Sequence, residues 1–147
     1  MAKDKKKHKP KEIPATENAL VLRTDFSDER AWKSICSEIE KPQTADNFQV
    51  HVEYVSDAAF EGATLEQLLA LDPKESGHFF MFVVDHTALS HAEHPILVID
   101  LNDEVGRAFR VIPSEMWGVE NNLSISNMDF YEFADNADAD GIFRGFD

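Results

Sequence analysis

Three aspartates follow three apolar stretches that have the composition of β-strands. Asp25, Asp57 and Asp85 each lie within three residues of the end of such a stretch. If the stretches form parallel strands of one sheet, the aspartates meet at its carboxyl edge, where open α/β sheets bind ligands. Three converging carboxylates can hold a hard divalent cation, Mg²⁺ or Mn²⁺, and so support hydrolysis or phosphoryl transfer. The alternative is that each aspartate only ends a strand or caps a helix.

A second set of potential ligands lies between residues 86 and 94. It contains three histidines and one carboxylate, namely His86, His91, His94 and Glu93. Histidine and carboxylate side chains bind zinc, but His91 and His94 are three residues apart, whereas the zincin motif needs a spacing of four. The polar composition of the stretch favours a loop with solvated side chains. We therefore expect no metal at this cluster.

The chain contains none of the common motifs of nucleophilic or phosphate-binding enzymes. There is no Gly-x-Ser-x-Gly sequence and no glycine-rich phosphate loop, and only six glycines occur. The single cysteine, Cys36, falls on the apolar face of a predicted helix, which favours a place in the core over a role as nucleophile. These observations imply no cofactor. They favour a non-enzymatic protein, although the alternative of an enzyme stays open.

The order of apolar patterns predicts an α/β domain built on a mixed sheet. Apolar runs at 19–24 and 79–84 indicate buried strands, and the alternation at 48–54 indicates a half-buried one. Apolar residues at helical spacing predict a helix from Ser27 to about residue 40. The remaining predicted elements are a short helix with a capping box at Thr64–Gln67, a hairpin of 96–99 with 108–112, a broken helix at 116–123, a helix at 130–137, and an apolar segment, 142–146, that packs back onto the body.

This order, β-α-β-α-β-β-β-α-α, predicts a single domain with a five-stranded sheet. The first three strands are expected to be parallel, because helices connect them, and the hairpin is expected to extend one side of the sheet. Helices on both faces would make the fold α/β, whereas helices on one face only would make it α+β.

Charge divides the chain into two parts. Residues 1–12 hold six lysines against two acidic residues, a net charge of +4. Because the whole chain has a net charge of −14, residues 13–147 carry a net charge of −18. The like charge and low apolar content of the first residues predict a disordered basic tail over 1–16, followed by one acidic globular domain over 17–147. The acidity either keeps the protein soluble or attracts a basic partner.

These features exclude several classes of function and favour one. No apolar run is long enough to span a membrane, no secretory signal is evident, and a lone cysteine fits the cytoplasm. So acidic a body repels nucleic acid. The favoured hypothesis is a non-enzymatic binding protein that recognises a basic protein, as an immunity protein or antitoxin does; the oligomeric state stays open. The acidic residues taken as possible contacts are Asp25, Asp28, Asp103, Glu104 and Glu120.

Four phrases of the sequence carry a family resemblance. They are Leu-Arg-Thr-Asp-Phe-Ser-Asp at 22–28, Glu-His-Pro-Ile-Leu-Val-Ile-Asp-Leu at 93–101, Val-Glu-Asn-Asn-Leu-Ser-Ile-Ser-Asn-Met-Asp-Phe at 119–130, and Asp-Gly-Ile-Phe-Arg-Gly-Phe at 140–146. With these phrases the chain resembles a family of small acidic, mostly bacterial proteins classed as a domain of unknown function. The resemblance implies a free-standing bacterial domain, leaves out the lysine tail, and implies no reaction, cofactor or catalytic residue.

Overall fold

The structure, a computed structural model, describes residues 11–42, 48–73 and 76–146. The first ten residues of the predicted basic tail lie outside these ranges. The strands are β1 Ala19–Arg23, β2 Val52–Val55, β3 Phe80–Val84, β4 Ile96–Asp100, β5 Ala108–Val111 and β6 Ile142–Phe143. The α-helices are α1 Glu29–Glu40, α2 Leu65–Leu71, α3 His86–Ser90, α4 Met116–Ser124 and α5 Phe130–Ala134. None of these helices has the length and apolarity that crossing a membrane requires.

The strands form one mixed sheet in the order β2-β1-β3-β4-β5-β6. β1 pairs in parallel with β2 and with β3, while β3, β4 and β5 pair antiparallel in turn. The predicted mixed α/β sheet, its three parallel strands and its hairpin are thereby confirmed. The sheet has six strands rather than five, because the apolar segment after Gly141 packs back as β6, parallel to β5.

Helices cover both faces of the sheet, as in the α/β arrangement rather than the α+β one. The larger core cluster lies on the face of α1, α3, α4 and α5 and contains Phe82 and Phe133. The smaller cluster lies on the face of α2 and contains Ile13, Phe60 and Leu68. Every residue of β3 is buried, which is the pattern of a central strand covered on both sides.

Two helices differ from the sequence prediction. α4 is continuous, although Gly118 and the pair Asn121-Asn122 predicted an interruption. Burial of Met116, Val119 and Leu123 on one face outweighs the cost of about 1 kcal/mol for a helical glycine, and the Asn122 amide donates to the Gly118 carbonyl (2.8 Å). α3 forms where a loop was expected, and with five residues it is too short for periodicity to reveal.

The turn between β4 and β5 is organised by one buried carboxylate. The side chain of Asp100 accepts hydrogen bonds from the backbone N–H groups of Asn102 (2.9 Å), Asp103 (3.3 Å) and Glu104 (2.9 Å). Asp100 is only 2% exposed. The carboxylate therefore replaces water as the acceptor for three turn amides that β-sheet pairing leaves unbonded.

The described part of the predicted tail, residues 11–16, runs along the body on the α2 face. Ile13 is buried and its N–H donates to the Leu71 carbonyl (2.9 Å), and the Pro14 carbonyl accepts from His78 (2.9 Å). The Lys11 ammonium reaches Asp57, which follows the carboxyl end of β2. Traced back from β1, the chain therefore leads from the amino ends of the parallel strands towards their carboxyl ends.

Candidate functional site

A crevice opens at the carboxyl ends of β1 and β3. Its volume is about 390 Å³, and it is lined by three segments, Thr24–Ser27, Glu61–Ala63 and Asp85–Thr87. The chain leaves β1 towards β2 on one side and leaves β3 towards β4 on the other, so the crevice lies at the switch point of the sheet. Ligands of open α/β sheets bind at this place.

The lining of the crevice is acidic. Among the described residues, the lining includes the carboxylates of Asp25, Glu61 and Asp85 together with His86, but no lysine and no arginine. Glu61 is exposed, and its side chain makes no hydrogen bond or ion pair among the described residues. The lining therefore favours a positively charged group over an anion.

Asp25 is the most firmly held of these carboxylates. Its Oδ1 accepts from the Ser27 N–H (2.7 Å), its Oδ2 lies 2.9 Å from Nδ1 of His86, and its side chain is 16% exposed. Hydrogen bonds from the Ser27 side chain and backbone, and then from His86, lower the pKa of Asp25 below its usual 3.8. Asp25 therefore presents a fixed negative charge at neutral pH.

Replacing Ser27 with alanine is expected to raise the pKa of Asp25, because the hydroxyl is the largest cause of its lowering. A carboxyl whose pKa is lowered on folding stabilises the native state above its usual pKa, and this contribution is lost as the pH falls through the lowered value. Stability should therefore fall less between pH 5 and pH 2 in Ser27→Ala than in the wild type. An NMR titration of the Asp25 carboxyl carbon measures the pKa directly. An unchanged titration midpoint of Asp25 in Ser27→Ala would contradict the role given to the Ser27 hydroxyl.

Asp85 shares the crevice with Asp25 but already has a cationic partner. Arg110, on β5, donates from both terminal nitrogens to the two carboxylate oxygens (3.0 and 2.7 Å) and also to the Pro95 carbonyl (3.0 Å). Asp85 Oδ1 additionally accepts from the Ala88 N–H and so caps α3. Asp85 is therefore part of the crevice lining and also a helix cap, which was the alternative to a cation site that the sequence left open.

Asp57 lies outside the crevice lining. It caps the short 3₁₀ turn Ala58–Phe60 by accepting from the Ala59 N–H (2.9 Å), and it pairs with Lys11. The Lys11 hydrogen bond, followed by that of Ala59, lowers its pKa. The structure thus brings together two of the three aspartates of the cation hypothesis, and Lys11 and Arg110 provide positive charge to Asp57 and Asp85. Among the described residues, no three His, Cys, Asp or Glu side chains are grouped to hold a metal ion.

A buried arginine that the sequence interpretation missed stands beside the crevice. Arg23 ends β1, its side chain is 4% exposed, and its guanidinium stacks between the rings of Phe26 (4.4 Å) and Trp32 (4.9 Å). It donates to Glu29 (2.8 Å) and Ser56 (3.2 Å). One signal in the sequence indicated that Arg23 is buried: it lies near the end of a predicted strand, within the segment 22–28 that carries the family resemblance. The contacts fix the loop that carries Asp25.

The other proposed contact residues do not form one surface. Asp28 is exposed and caps α1 by accepting from the Ala31 N–H (2.9 Å). Asp103 and Glu104 are exposed at the β4–β5 turn, at the opposite edge of the sheet from the crevice. Glu120 is 6% exposed, and its oxygens accept from the His51 N–H (3.2 Å) and the Ser124 hydroxyl (2.7 Å). These internal bonds place Glu120 in the interior rather than on a contact surface.

The histidine cluster and the cysteine have local roles. Nδ1 of His91 accepts from the Glu93 N–H (3.0 Å), His94 bonds to the Ala88 carbonyl (2.8 Å), and Glu93 pairs with Arg144. Burial, and next the charge of the nearby Glu40, raise the pKa of the Cys36 thiol to about 11. A thiol that stays protonated at neutral pH is a poor nucleophile.

Comparison with known proteins identifies the family of the chain. A family model described as "Domain of unknown function (DUF6924)" matches residues 18–146. The match begins after the lysine-rich segment and spans all three segments that line the crevice. No curated protein matches the chain.

Proposed function

The chain belongs to the family described as Domain of unknown function (DUF6924), and from its geometry we propose a non-enzymatic binding protein that recognises a basic protein partner at the crevice. One observation supports the proposal: Asp25, Glu61 and Asp85 line a single crevice, and the part of the chain that the structure describes contributes no lysine or arginine to that lining. Such a site accepts a lysine or arginine side chain of the partner. A toxin neutralised by an immunity protein or antitoxin in the cytoplasm is one form that this partner takes.

Size and charge both support recognition of a basic segment. A volume of about 390 Å³ falls at the lower end of the range of about 300–1,000 Å³ for ligand pockets, which suits one or two extended side chains. The net charge of the chain, −14, attracts a basic protein over a distance and accelerates the encounter. The crevice then selects which basic group is bound.

The carboxylates are held in place before any partner arrives. Ser27 and His86 fix Asp25, and Arg110 with the Ala88 N–H fixes Asp85. A site that is already ordered loses less conformational entropy on binding. Glu61, by contrast, is exposed and its side chain makes no hydrogen bond or ion pair among the described residues, so its charge is the one most available to a ligand.

Replacing Glu61 with glutamine is expected to weaken the binding of a penta-lysine peptide two- to fivefold, as the loss of one exposed ion pair predicts. Calorimetry at low salt measures the affinity, and NMR amide shifts locate the peptide. Glu17→Gln is the matched control, because Glu17 is an exposed glutamate at the opposite edge of the sheet and makes no side-chain bond among the described residues. Equal weakening by both variants would show diffuse attraction to an acidic protein and would contradict the proposal.

A further inference from the structure

One buried hydroxyl in the lining of the crevice has no hydrogen-bond partner among the described residues. Thr24 lines the crevice and is only 4% exposed. Its backbone N–H donates to the Val84 carbonyl (3.0 Å) and its carbonyl accepts from the Gly62 N–H (2.7 Å), so its side chain is the one part of the residue left without a bond. Because buried polar side chains are nearly always hydrogen-bonded, this hydroxyl points to a ligand that provides the bond.

The alternation of side chains along β1 turns this hydroxyl towards the crevice. Arg23 packs against the Trp32 ring, on the face of α1. Leu22, one residue earlier, belongs to the smaller core cluster on the face of α2, together with Ala63 of the crevice lining. Since successive side chains of an extended chain point to opposite faces, Thr24 lies on the same face as Leu22 and Ala63.

The groups that can bind a cation are spread around the crevice rather than gathered at one point. Glu61 offers two carboxylate oxygens without a bond among the described residues, the Thr24 hydroxyl offers a third oxygen, and the half-buried ring of Phe26 also lines the crevice. A lysine ammonium donates from a single atom, whereas an arginine guanidinium presents five N–H donors in a planar fork and stacks on aromatic rings. A guanidinium therefore uses more of this lining than an ammonium does.

The chain already binds a guanidinium of its own with the same three kinds of group. Arg23 donates to the Glu29 carboxylate (2.8 Å) and to the Ser56 hydroxyl (3.2 Å), and it stacks on the ring of Phe26 (4.4 Å). The crevice presents a carboxylate, a hydroxyl and an aromatic ring as well, but in the described residues its carboxylate and hydroxyl have no partner.

From the unbonded Thr24 hydroxyl and its place beside Glu61 and Phe26 we infer that the crevice selects an arginine side chain of the partner over a lysine side chain. The inference rests on the proposed function, because it names the chemical group that the same site binds. Glu61 pairs with two N–H groups of the guanidinium fork, and the Thr24 hydroxyl accepts from a further one. Thr24 is thus the residue that determines specificity, since an ammonium held by Glu61 gains little from it.

The test titrates the full chain with N-acetyl-arginine amide and with N-acetyl-lysine amide, which each carry one positive charge. The amide shifts of Gly62 and Thr87, two residues of the lining, report binding at low salt. The arginine probe should bind about three- to tenfold more tightly than the lysine probe, as one further hydrogen bond to a charged group predicts.

Two substitutions of Thr24 and one control assign this preference. Thr24→Val keeps the shape of the side chain and should reduce the affinity for the arginine probe to that for the lysine probe, which itself should change less than twofold. Because the hydroxyl has no bond within the described protein, urea unfolding should show no loss of stability. Thr24→Ser retains the hydroxyl and should retain the preference. Thr16→Val, at the opposite edge of the sheet, should change neither affinity.

The outcomes separate this inference from the proposed function. Binding of both probes at Gly62 and Thr87 with equal affinity, or with the lysine probe tighter, would overturn the inference and leave the proposed function intact. A full arginine preference in Thr24→Val would also overturn the inference. If neither probe shifts these two amides in the wild type, the proposed function fails together with the inference.

Discussion

Asp100→Ala is expected to lower the free energy of unfolding by about 3 kcal/mol. The change removes the acceptor of three backbone N–H groups at Asn102, Asp103 and Glu104. Hydrogen bonds to a charged group contribute about 1.5–3 kcal/mol each when buried, and amides left unbonded away from water cost about 1–3 kcal/mol. Relaxation of the turn towards solvent offsets part of the combined cost of the three lost hydrogen bonds, which leaves an expected loss of about 3 kcal/mol in the free energy of unfolding.

Urea unfolding followed by circular dichroism measures this effect. Asp103→Ala is the matched control, because Asp103 lies in the same turn but is exposed, and among the described residues its side chain bonds only to the Asn102 amide, at 3.5 Å. The control should cost less than about 0.5 kcal/mol, as is usual for surface substitutions. Asp100→Asn keeps one acceptor oxygen and should fall between the two. An Asp100→Ala variant no less stable than the control would contradict the role assigned to this carboxylate.

Arg110→Met is expected to lower the stability of the protein and, at the same time, to strengthen its binding of cations. Methionine retains the apolar stem but leaves Asp85 without its two-pronged partner and the Pro95 carbonyl without a donor. Breaking a buried pair costs about 3–5 kcal/mol, and partial exposure of both groups reduces the expected loss to about 2 kcal/mol. The charge of Asp85 then becomes available within the crevice, so penta-lysine should bind about threefold more tightly.

The control for this variant is Arg30→Met, which removes the same charge from the exposed face of α1. Both variants make the net charge of the protein more negative by one, so the general electrostatic attraction of the protein for a cationic peptide rises equally. Only Arg110→Met should change both stability and affinity by the stated amounts. The variant also tests the divalent-cation hypothesis. Micromolar Mn²⁺ binding that appears in Arg110→Met and is lost on adding Asp25→Asn would favour that hypothesis over the binding of basic side chains.

Short sequence patterns correctly predicted those elements of the fold that are stabilised by residues close to one another in the chain. Thr64 and Gln67 form the expected capping box (3.2 and 2.9 Å), since both partners lie within one turn. The parallel arrangement of β1 and β3 followed from the helices predicted between the first three strands, and it correctly brought Asp25 and Asp85 to one crevice. Elements of few residues, such as α3 and β6, were not predicted as such, because they are stabilised by distant contacts rather than by local periodicity.

The chemistry of the site was less predictable than its position. The pairing of Asp85 with Arg110 depends on the register of β5 against β4, which no local pattern encodes. Asp57 follows a parallel strand as expected, yet it lies outside the crevice lining, where it caps a short 3₁₀ turn and pairs with Lys11. The burial of Glu120 could not be foreseen, because its partners His51 and Ser124 become neighbours only in the folded chain.

The route of residues 11–19 also has a consequence for protein engineering. Because the Lys11 side chain reaches Asp57 beside the end of β2, a label attached at residue 11 lies at the same end of the sheet as the crevice. The other terminus leaves from β6, four strands away from β1 in the sheet. A fluorophore on the Lys11→Cys variant would therefore report occupancy of the crevice as a proximity sensor, whereas an attachment beyond β6 would lie four strands away from β1.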